Sequence, residues 1–269
     1  MMETGPPWDP VRDVPTLPAL GSPVFADLFG QGDLSCVAPS AGLKKLLDVQ
    51  LPAEQVGAEN HLAAWDVRSG RMLPGFPAYM DDLQFIAGPA AADVDGDGLT
   101  DIVAGSGGFL VRASDGAGLP VEGWPKFTGQ WVIATPAVGD LDGDGLLEVA
   151  VMTRKGLLYV WETPAGACGA APEREWRTFH HDGQRTGVFG KDTVRPAAAR
   201  GFKAERRRGR LELSWLAVGD NGLCGAASSY EIRGSSSGVP RAWADAVPVV
   251  TAEASKPGGA PMGLAVADP

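Results

Sequence analysis

Two short acidic loops contain the residues of this sequence that are best suited to chemistry. Each loop places carboxylates at positions one, three, five and nine and a glycine at position six. The first loop has Asp93, Asp95, Asp97 and Asp101, and the second loop has Asp140, Asp142, Asp144 and Glu148. Alternate residues of a tightly curled loop can point inward, and the glycine permits the sharp turn. The loops therefore predict ligation by hard oxygen atoms, which favours Ca²⁺.

A further ligand in each loop is expected from the backbone. As in the EF-hand loop, the residue at position seven can offer its carbonyl oxygen, and this residue is Leu99 in the first loop and Leu146 in the second. Without a cation, each contact between like charges costs on the order of 1 kcal/mol even in water. A bare Asp/Gly-rich turn is the alternative, but two matched copies favour metal. An EF-hand is not expected, because position twelve holds Ala104 and Val151.

The acidic loops belong to an internal repeat. The stretch from Pro89 to Ala104 aligns with Pro136 to Val151, at an offset of 47 positions. A Gly-aromatic-Pro turn repeats at Gly75 and Gly123, at an offset of 48. Short apolar runs flank each loop, so the repeat unit reads as strand, turn, strand and suits one four-stranded propeller blade.

An earlier, worn copy of the repeat begins at Pro23. It keeps Asp27, but Phe29, Gln31 and Ser35 stand where the other copies have acids. No metal site is therefore expected at Asp27. The longer gap to the next copy leaves room for an insertion around residues 43–60.

Composition and charge indicate a strand-rich fold and argue against some classes of partner. The 269 residues include 37 Gly and 22 Pro, which favours many short strands joined by tight turns. A formal net charge of -10 argues against a nucleic-acid partner, because the chain would repel phosphate. No apolar stretch is long enough to span a membrane, and no signal peptide is visible at the N-terminus.

The three cysteines, Cys36, Cys168 and Cys224, do not form a disulfide framework. An odd number leaves at least one thiol free or paired outside the chain. Cys168 and Cys224 both lie in Gly/Ala-rich loops and can pair with each other, but the sequence leaves this open.

The repeat resembles the FG-GAP family, also called VCBS repeats, which builds the propeller of integrin α-subunits. The resemblance rests on the two acidic loops and covers roughly residues 20–190, with residues 1–19 as an N-terminal extension. It implies a β-propeller whose Ca²⁺ loops lie between the first two strands of each blade. The stretch from Trp176 to Gly187 resembles a segment that closes such repeats. Propellers have about four to eight blades, and this chain supplies about three, so we expect a fragment of a longer protein.

A weaker resemblance marks the C-terminal part. After a linker at residues 191–200, residues 201–269 contain Leu211 to Trp215 and Tyr230 to Arg233, which resemble strands of a fibronectin-III-like sandwich. Too few residues remain for the whole sandwich, and the tail from Thr251 is expected to be loose. The predicted fold is all-β, a partial propeller followed by an incomplete fibronectin-III-like domain.

Few residues favour an enzyme. His180, His181 and Asp182 are adjacent, but no further ligand with zinc-type spacing stands near them. The basic run Arg206–Arg210 is expected to form a solvated hairpin. Trp124, Trp131 and Trp176 can line a carbohydrate surface, but packing between blades is the more common role of such residues.

The sequence therefore predicts a calcium-binding, non-catalytic module for binding or adhesion, located outside the cell or at its surface. The expected partner is a protein or a carbohydrate of unknown identity. The alternative is an accessory region of a larger secreted hydrolase whose catalytic domain lies outside this chain.

Overall fold

A computed structural model of the chain describes residues 16–18, 21–42, 60–84, 87–169, 174–222, 224–235, 242–254 and 256–267. The chain divides into two compact units, residues 1–193 and residues 194–269. Almost all regular structure in the described residues is β-strand, which confirms the predicted all-β class. The predicted insertion around residues 43–60 lies almost entirely outside the described residues.

The first sheet of the N-terminal unit is antiparallel and has five short strands. Its strands are β1 (Thr16–Pro18), β2 (Val24–Ala26), β3 (Ser35–Gly42), β4 (Asn60–Asp66) and β5 (Ala78–Met80). Strand β3 pairs with β1, β2 and β4, and β4 pairs with β5. The worn loop at Asp27 therefore joins β2 to β3.

The second sheet is a four-stranded antiparallel meander, in which each strand pairs with the next one along the chain. Its strands are β6 (Ala90–Ala92), β7 (Asp101–Gly105), β8 (Leu110–Ser114) and β9 (Lys126–Phe127). The third sheet is a meander of β10 (Ala137–Gly139), β11 (Leu146–Met152) and β12 (Leu158–Gly166). Each acidic loop joins the first two strands of its sheet.

These sheets pack on one another through the alternating side chains of their strands. One hydrophobic core joins the first and second sheets and includes Val37, Ala64, Ile102 and Ala104. The other core joins the second and third sheets and includes Val103, Val111, Val149 and Val151. The second sheet thus buries both of its faces, which explains why consecutive residues of β7, from Ile102 to Ala104, are all apolar and buried.

The segment that follows the repeats returns to the second and third sheets. Trp176 and Ala91 exchange backbone hydrogen bonds of 2.7 and 2.9 Å. The Val138 N–H donates to the carbonyl of Arg177 at 2.7 Å. The segment therefore lies against the first strands of both sheets.

The C-terminal unit contains two small antiparallel sheets and a short 3-10 helix. The sheets are β13 (Arg200–Arg207), β14 (Arg210–Leu216) and β17 (Pro261–Ala267), and β15 (Ser229–Gly234) with β16 (Val247–Glu253). Trp215 is buried and packs edge-on against Tyr230, with ring centroids 5.3 Å apart. The basic run Arg206–Arg210 forms the exposed turn of the β13–β14 hairpin, as expected.

The tail of the chain differs from the expectation of a loose segment. Strand β17 pairs with β14 along its whole length, from Pro261 opposite Leu216 to Ala267 opposite Arg210. Its small side chains and its proline give a weak strand signal in sequence, and the pairing with β14 is a contact between residues distant in the chain. The division into residues 1–19, 20–190, 191–200 and 201–269 stays a prediction.

The cysteines separate into a bonded and a free class. Cys168 and Cys224 are each disulfide-bonded. Cys36 is a free and buried thiol on β3, and burial raises the pKa of its thiol.

Candidate metal centres

The first acidic loop brings three carboxylates together. Asp93, Asp95 and Asp101 each offer an oxygen atom, and these atoms lie within 4.8 Å of one another. Asp97 does not belong to this cluster of three, and its Oδ1 accepts the Leu99 N–H at 2.7 Å. Leu99 lies between Asp97 and Asp101 with an exposed side chain, and the role of its carbonyl as a ligand stays a prediction.

The local backbone explains the shape of the first loop. The two carboxylate oxygens of Asp93 accept the N–H groups of Gly96 and Gly98 at 2.7 and 3.0 Å. Both glycines have φ near +85°, a left-handed conformation that other residues rarely adopt. At the end of the loop, Asp101 Oδ2 accepts the Val94 N–H at 2.9 Å. The loop therefore curls around its first and ninth residues.

The second loop repeats this arrangement position by position. Asp140, Asp142 and Glu148 form a cluster of carboxylate oxygens within 4.8 Å of one another. Asp140 accepts the N–H groups of Gly143 and Gly145 at 2.7 and 3.2 Å. Glu148 Oε2 accepts the Leu141 N–H at 2.6 Å, as Asp101 does for Val94.

The remaining predicted residues of the second loop also follow the first. Asp144 lies outside the cluster of three, and its Oδ1 accepts the Leu146 N–H at 2.8 Å. Leu146 begins β11, and its carbonyl stays a predicted ligand in the same way as that of Leu99.

Electrostatics in the first loop favour a cation. Asp101 is 2% exposed. Burial, together with the charges of Asp95, Asp93 and Asp97, raises the pKa of Asp101 to about 8, although the hydrogen bond from Val94 opposes this shift. Burial also raises the pKa of Asp95. A divalent cation at this point would offset the repulsion among the carboxylates and their loss of water.

An unpartnered oxygen atom marks the second loop. Glu148 is 5% exposed, and its Oε1 is buried without a hydrogen-bond partner. A buried carboxylate oxygen without a partner is costly. Because Glu148 belongs to the carboxylate cluster, a hard cation between these residues would satisfy this atom, so the donor set fits Ca²⁺.

The worn copy keeps the turn but not the ligands. Asp27 accepts the N–H groups of Gln31 and Gly32 at 3.1 and 2.7 Å. Phe29 and Gln31 offer no carboxylate, and among the described residues Asp27 is in no cluster of acidic oxygens. The first residue of the motif therefore has a turn-forming role that does not depend on metal.

A buried carboxylate that sequence reasoning missed lies beside the first loop. Glu175 is 0% exposed, and its Oε1 accepts the backbone N–H of Asp93 at 2.8 Å. Burial raises the pKa of Glu175, and the nearby Arg177 guanidinium opposes that shift. The two residues are 82 positions apart, so no local spacing could have linked them.

The residues that suggested catalysis have structural contacts. His181 is buried and meets the rings of Trp176 and Phe189 edge-on. Asp182 accepts the N–H groups of Gln184 and Thr186. These contacts fix the shape of the segment after the repeats.

The three tryptophans proposed for a carbohydrate surface have different environments. Trp176 is 5% exposed and lies in the core between the first and second sheets. Trp124 packs against the other core, edge-on to Trp161. Trp131 is exposed and has the Arg154 guanidinium 4.8 Å above its ring.

Comparison with known protein families supports the internal repeat found in the sequence. The FG-GAP-like repeat family matches residues 93–151, a range that includes both acidic loops. No curated protein matches the chain. The crystal structure of the V. cholerae biofilm matrix protein Bap1 is similar to this chain with 16% identity and a TM-score of 0.41.

That similarity covers 82% of this chain, and the chain spans 40% of the length of the Bap1 chain. Among the described residues, no helix has the length and apolar character needed to cross a membrane.

Proposed function

We propose that the chain is a calcium-binding, non-catalytic repeat module of the β-propeller type that serves binding or adhesion. The observation that carries this proposal is the duplication of one acidic loop. The two loops occupy the same place in successive sheets, repeat the same backbone hydrogen bonds and each gather three carboxylates within 4.8 Å. Chance would not reproduce both the ligands and the supporting turn.

The residues that would hold the ions are those of the two loops. Asp93, Asp95, Asp97, Asp101 and the Leu99 carbonyl form the proposed first site. Asp140, Asp142, Asp144, Glu148 and the Leu146 carbonyl form the proposed second site. In each site the ion would supply positive charge that holds the strand–turn–strand unit together.

The sheet arrangement supports the propeller part of the proposal. Three sheets follow one another along the N-terminal unit, and each packs its face on the next. A propeller is built by this kind of repetition. In the C-terminal unit, the buried Trp215 and its contact with Tyr230 support a partial fibronectin-III-like domain.

Chemistry elsewhere in the chain supports a non-catalytic role outside the cell or at its surface. The disulfide-bonded state of Cys168 and Cys224 suits an oxidising compartment. The contacts of His181 and Asp182 suit a structural role rather than acid–base chemistry. A protein or a carbohydrate is the proposed class of partner.

Calorimetry with Ca²⁺ after chelation tests this proposal. We expect about two ions per chain, and roughly 3–4 kcal/mol of stabilisation from each ion at 100 to 1,000 times the dissociation constant. The double variant Asp95→Ala and Asp142→Ala serves as the control, because it removes one carboxylate ligand from each cluster of three. Absence of both binding heat and a shift in Tm for the unaltered chain would exclude the calcium sites.

A further inference from the structure

A short segment after the repeats connects the second and third sheets. This clamp segment, Glu175–Thr178, exchanges backbone hydrogen bonds with β6 through Trp176 and accepts one from β10 through Arg177. The side chain of Trp176 packs in the core of the first two sheets, with its ring 5.9 Å from that of Phe25. The clamp segment is therefore part of the folded repeat unit, although it is not part of a repeat.

Glu175 links the clamp segment to the first acidic loop. Its Oε1 accepts the N–H of Asp93 at 2.8 Å, and its Oε2 accepts the Arg177 Nε–H at 2.5 Å. Glu175 is fully buried, and the Arg177 side chain is largely buried. The carboxylate is thus held from both sides and fixes the backbone at the first residue of the loop.

The second loop lacks this support. Among the described residues, no side chain accepts the N–H of Asp140, and the clamp segment reaches β10 only by way of the Val138 N–H. Among the described residues, a side chain that accepts the N–H of the first residue of the loop is therefore present at the first loop and absent at the second. This difference separates an effect on calcium binding from a general effect on folding.

We propose that Glu175 couples calcium binding at the first loop to docking of the clamp segment. This inference rests on the proposed calcium function. Glu175 is a positioning residue: it holds the Asp93 backbone so that the carboxylates of the loop converge. Coupling between two sites is reciprocal, so calcium at the first loop also holds the clamp segment in place.

The test uses variants that retain one site each. Asp142→Ala removes the second site and leaves the first loop intact, and Asp95→Ala removes the first site and leaves the second loop intact. Adding Glu175→Gln to the Asp142→Ala chain should weaken calcium affinity about tenfold, within the range typical of coupled sites. Adding it to the Asp95→Ala chain should leave the affinity within about twofold. Glu122→Gln, which removes an exposed carboxylate, should change neither.

A second measurement leaves Glu175 in place, in case its replacement prevents folding. Hydrogen exchange at the amides of Ala91 and Trp176 should slow on addition of calcium in the Asp142→Ala chain and stay unchanged in the Asp95→Ala chain. Equal effects of Glu175→Gln at both sites, no effect at either site, or equal protection in both chains would overturn the coupling. Failure of the unaltered chain to bind calcium would instead overturn the proposed function.

Discussion

Individual acids in each loop have separable tasks. Asp93 and Asp140, at position one, each accept two backbone N–H groups and so shape the turn. Asp101 and Glu148, at position nine, are buried and hold the second residue of the loop. The residues at position three belong to the carboxylate clusters and accept a single backbone N–H each, so their substitution removes a ligand and disturbs the turn less than substitution at position one. They are therefore the most direct probes of metal binding.

The first prediction compares the two intact acidic loops with the worn copy at Asp27. Asp95→Ala and Asp142→Ala should each remove one calcium ion from the chain, because each deletes a carboxylate from a cluster of three. Asp27→Ala should leave the stoichiometry unchanged, because Asp27 shapes its turn without a neighbouring cluster. Calorimetric stoichiometry measures all three variants. Loss of an ion on Asp27→Ala would contradict the assignment of that loop.

Acid stability supplies the second prediction, at Asp182. Burial opposes ionisation of this carboxyl, but hydrogen bonds from Thr186, His181 and Gln184 outweigh burial and lower its pKa. Because the pKa of the folded state lies below its ordinary value, the stabilising contribution is complete above about pH 4 and is lost as the pH falls through the folded pKa.

Asp182→Ala should therefore lower the free energy of unfolding by about 1–3 kcal/mol at pH 7. The difference between the variant and the unaltered chain should shrink on acidification below pH 4. Urea unfolding at several pH values measures it. A difference that is the same in acid and at neutral pH would show that the Asp182 charge is not the cause.

At the scale of the strand and the turn, much could be predicted from the sequence. The strand, turn, strand pattern placed each acidic loop between two strands, because ligand spacing and strand periodicity are local properties. The family resemblance implied that these are the first two strands of each unit, as they are in the second and third sheets. The contact between Glu175 and Asp93 could not be predicted, since it joins residues 82 positions apart. Strand β17 was missed for a related reason: its pairing with β14 depends on a distant partner, whereas its Ala- and Gly-rich composition suggests a loop.

Packing between neighbouring sheets gives the third prediction. Gly75 and Gly123 occupy the same place in the repeated Gly-aromatic-Pro turn, with φ of +86° and +79°. A Cβ atom at Gly75 would lie 1.7 Å from the carbonyl oxygen of Ala117, in the loop between β8 and β9 of the second sheet. A Cβ atom at Gly123 would meet only the end of the Lys126 side chain, at 3.9 Å. Both turns therefore require a left-handed backbone conformation, but only the turn at Gly75 lies close to the backbone of a neighbouring loop.

Alanine at either position should cost about 1–2 kcal/mol for its left-handed conformation. Gly75→Ala should cost a further 1–3 kcal/mol or more, roughly, because the neighbouring backbone must move. Urea unfolding of the two variants gives the difference directly. Equal destabilisation would mean that the turn at Gly75 does not pack against the second sheet in solution.

In the N-terminal unit, the three sheets pack face to face in the order in which they follow along the chain. In the second sheet, Val103 pairs with Ala113 and Gly105 pairs with Val111, and the third sheet covers these positions. The corresponding pairs in the third sheet are Ala150 with Val160 and Met152 with Leu158. These four residues, Ala150, Met152, Leu158 and Val160, form one face of the third sheet, which we call the open face. Met152, Leu158 and Val160 are 52%, 66% and 47% exposed.

An apolar sheet face of this kind should make the chain self-associate, since contiguous exposed apolar surface is uncommon on monomers. Burying one aliphatic side chain contributes about 1.5–3 kcal/mol, so Leu158→Lys combined with Val160→Glu should weaken self-association by at least roughly 100-fold. Val247→Lys is the matched control, because Val247 is equally apolar and 68% exposed but belongs to β16. Sedimentation velocity in excess calcium, with a thermal melt of each chain, measures the outcome. A monodisperse unaltered chain that melts cooperatively would show that the open face needs no cover, and would count against the propeller arrangement in which every sheet packs between two others.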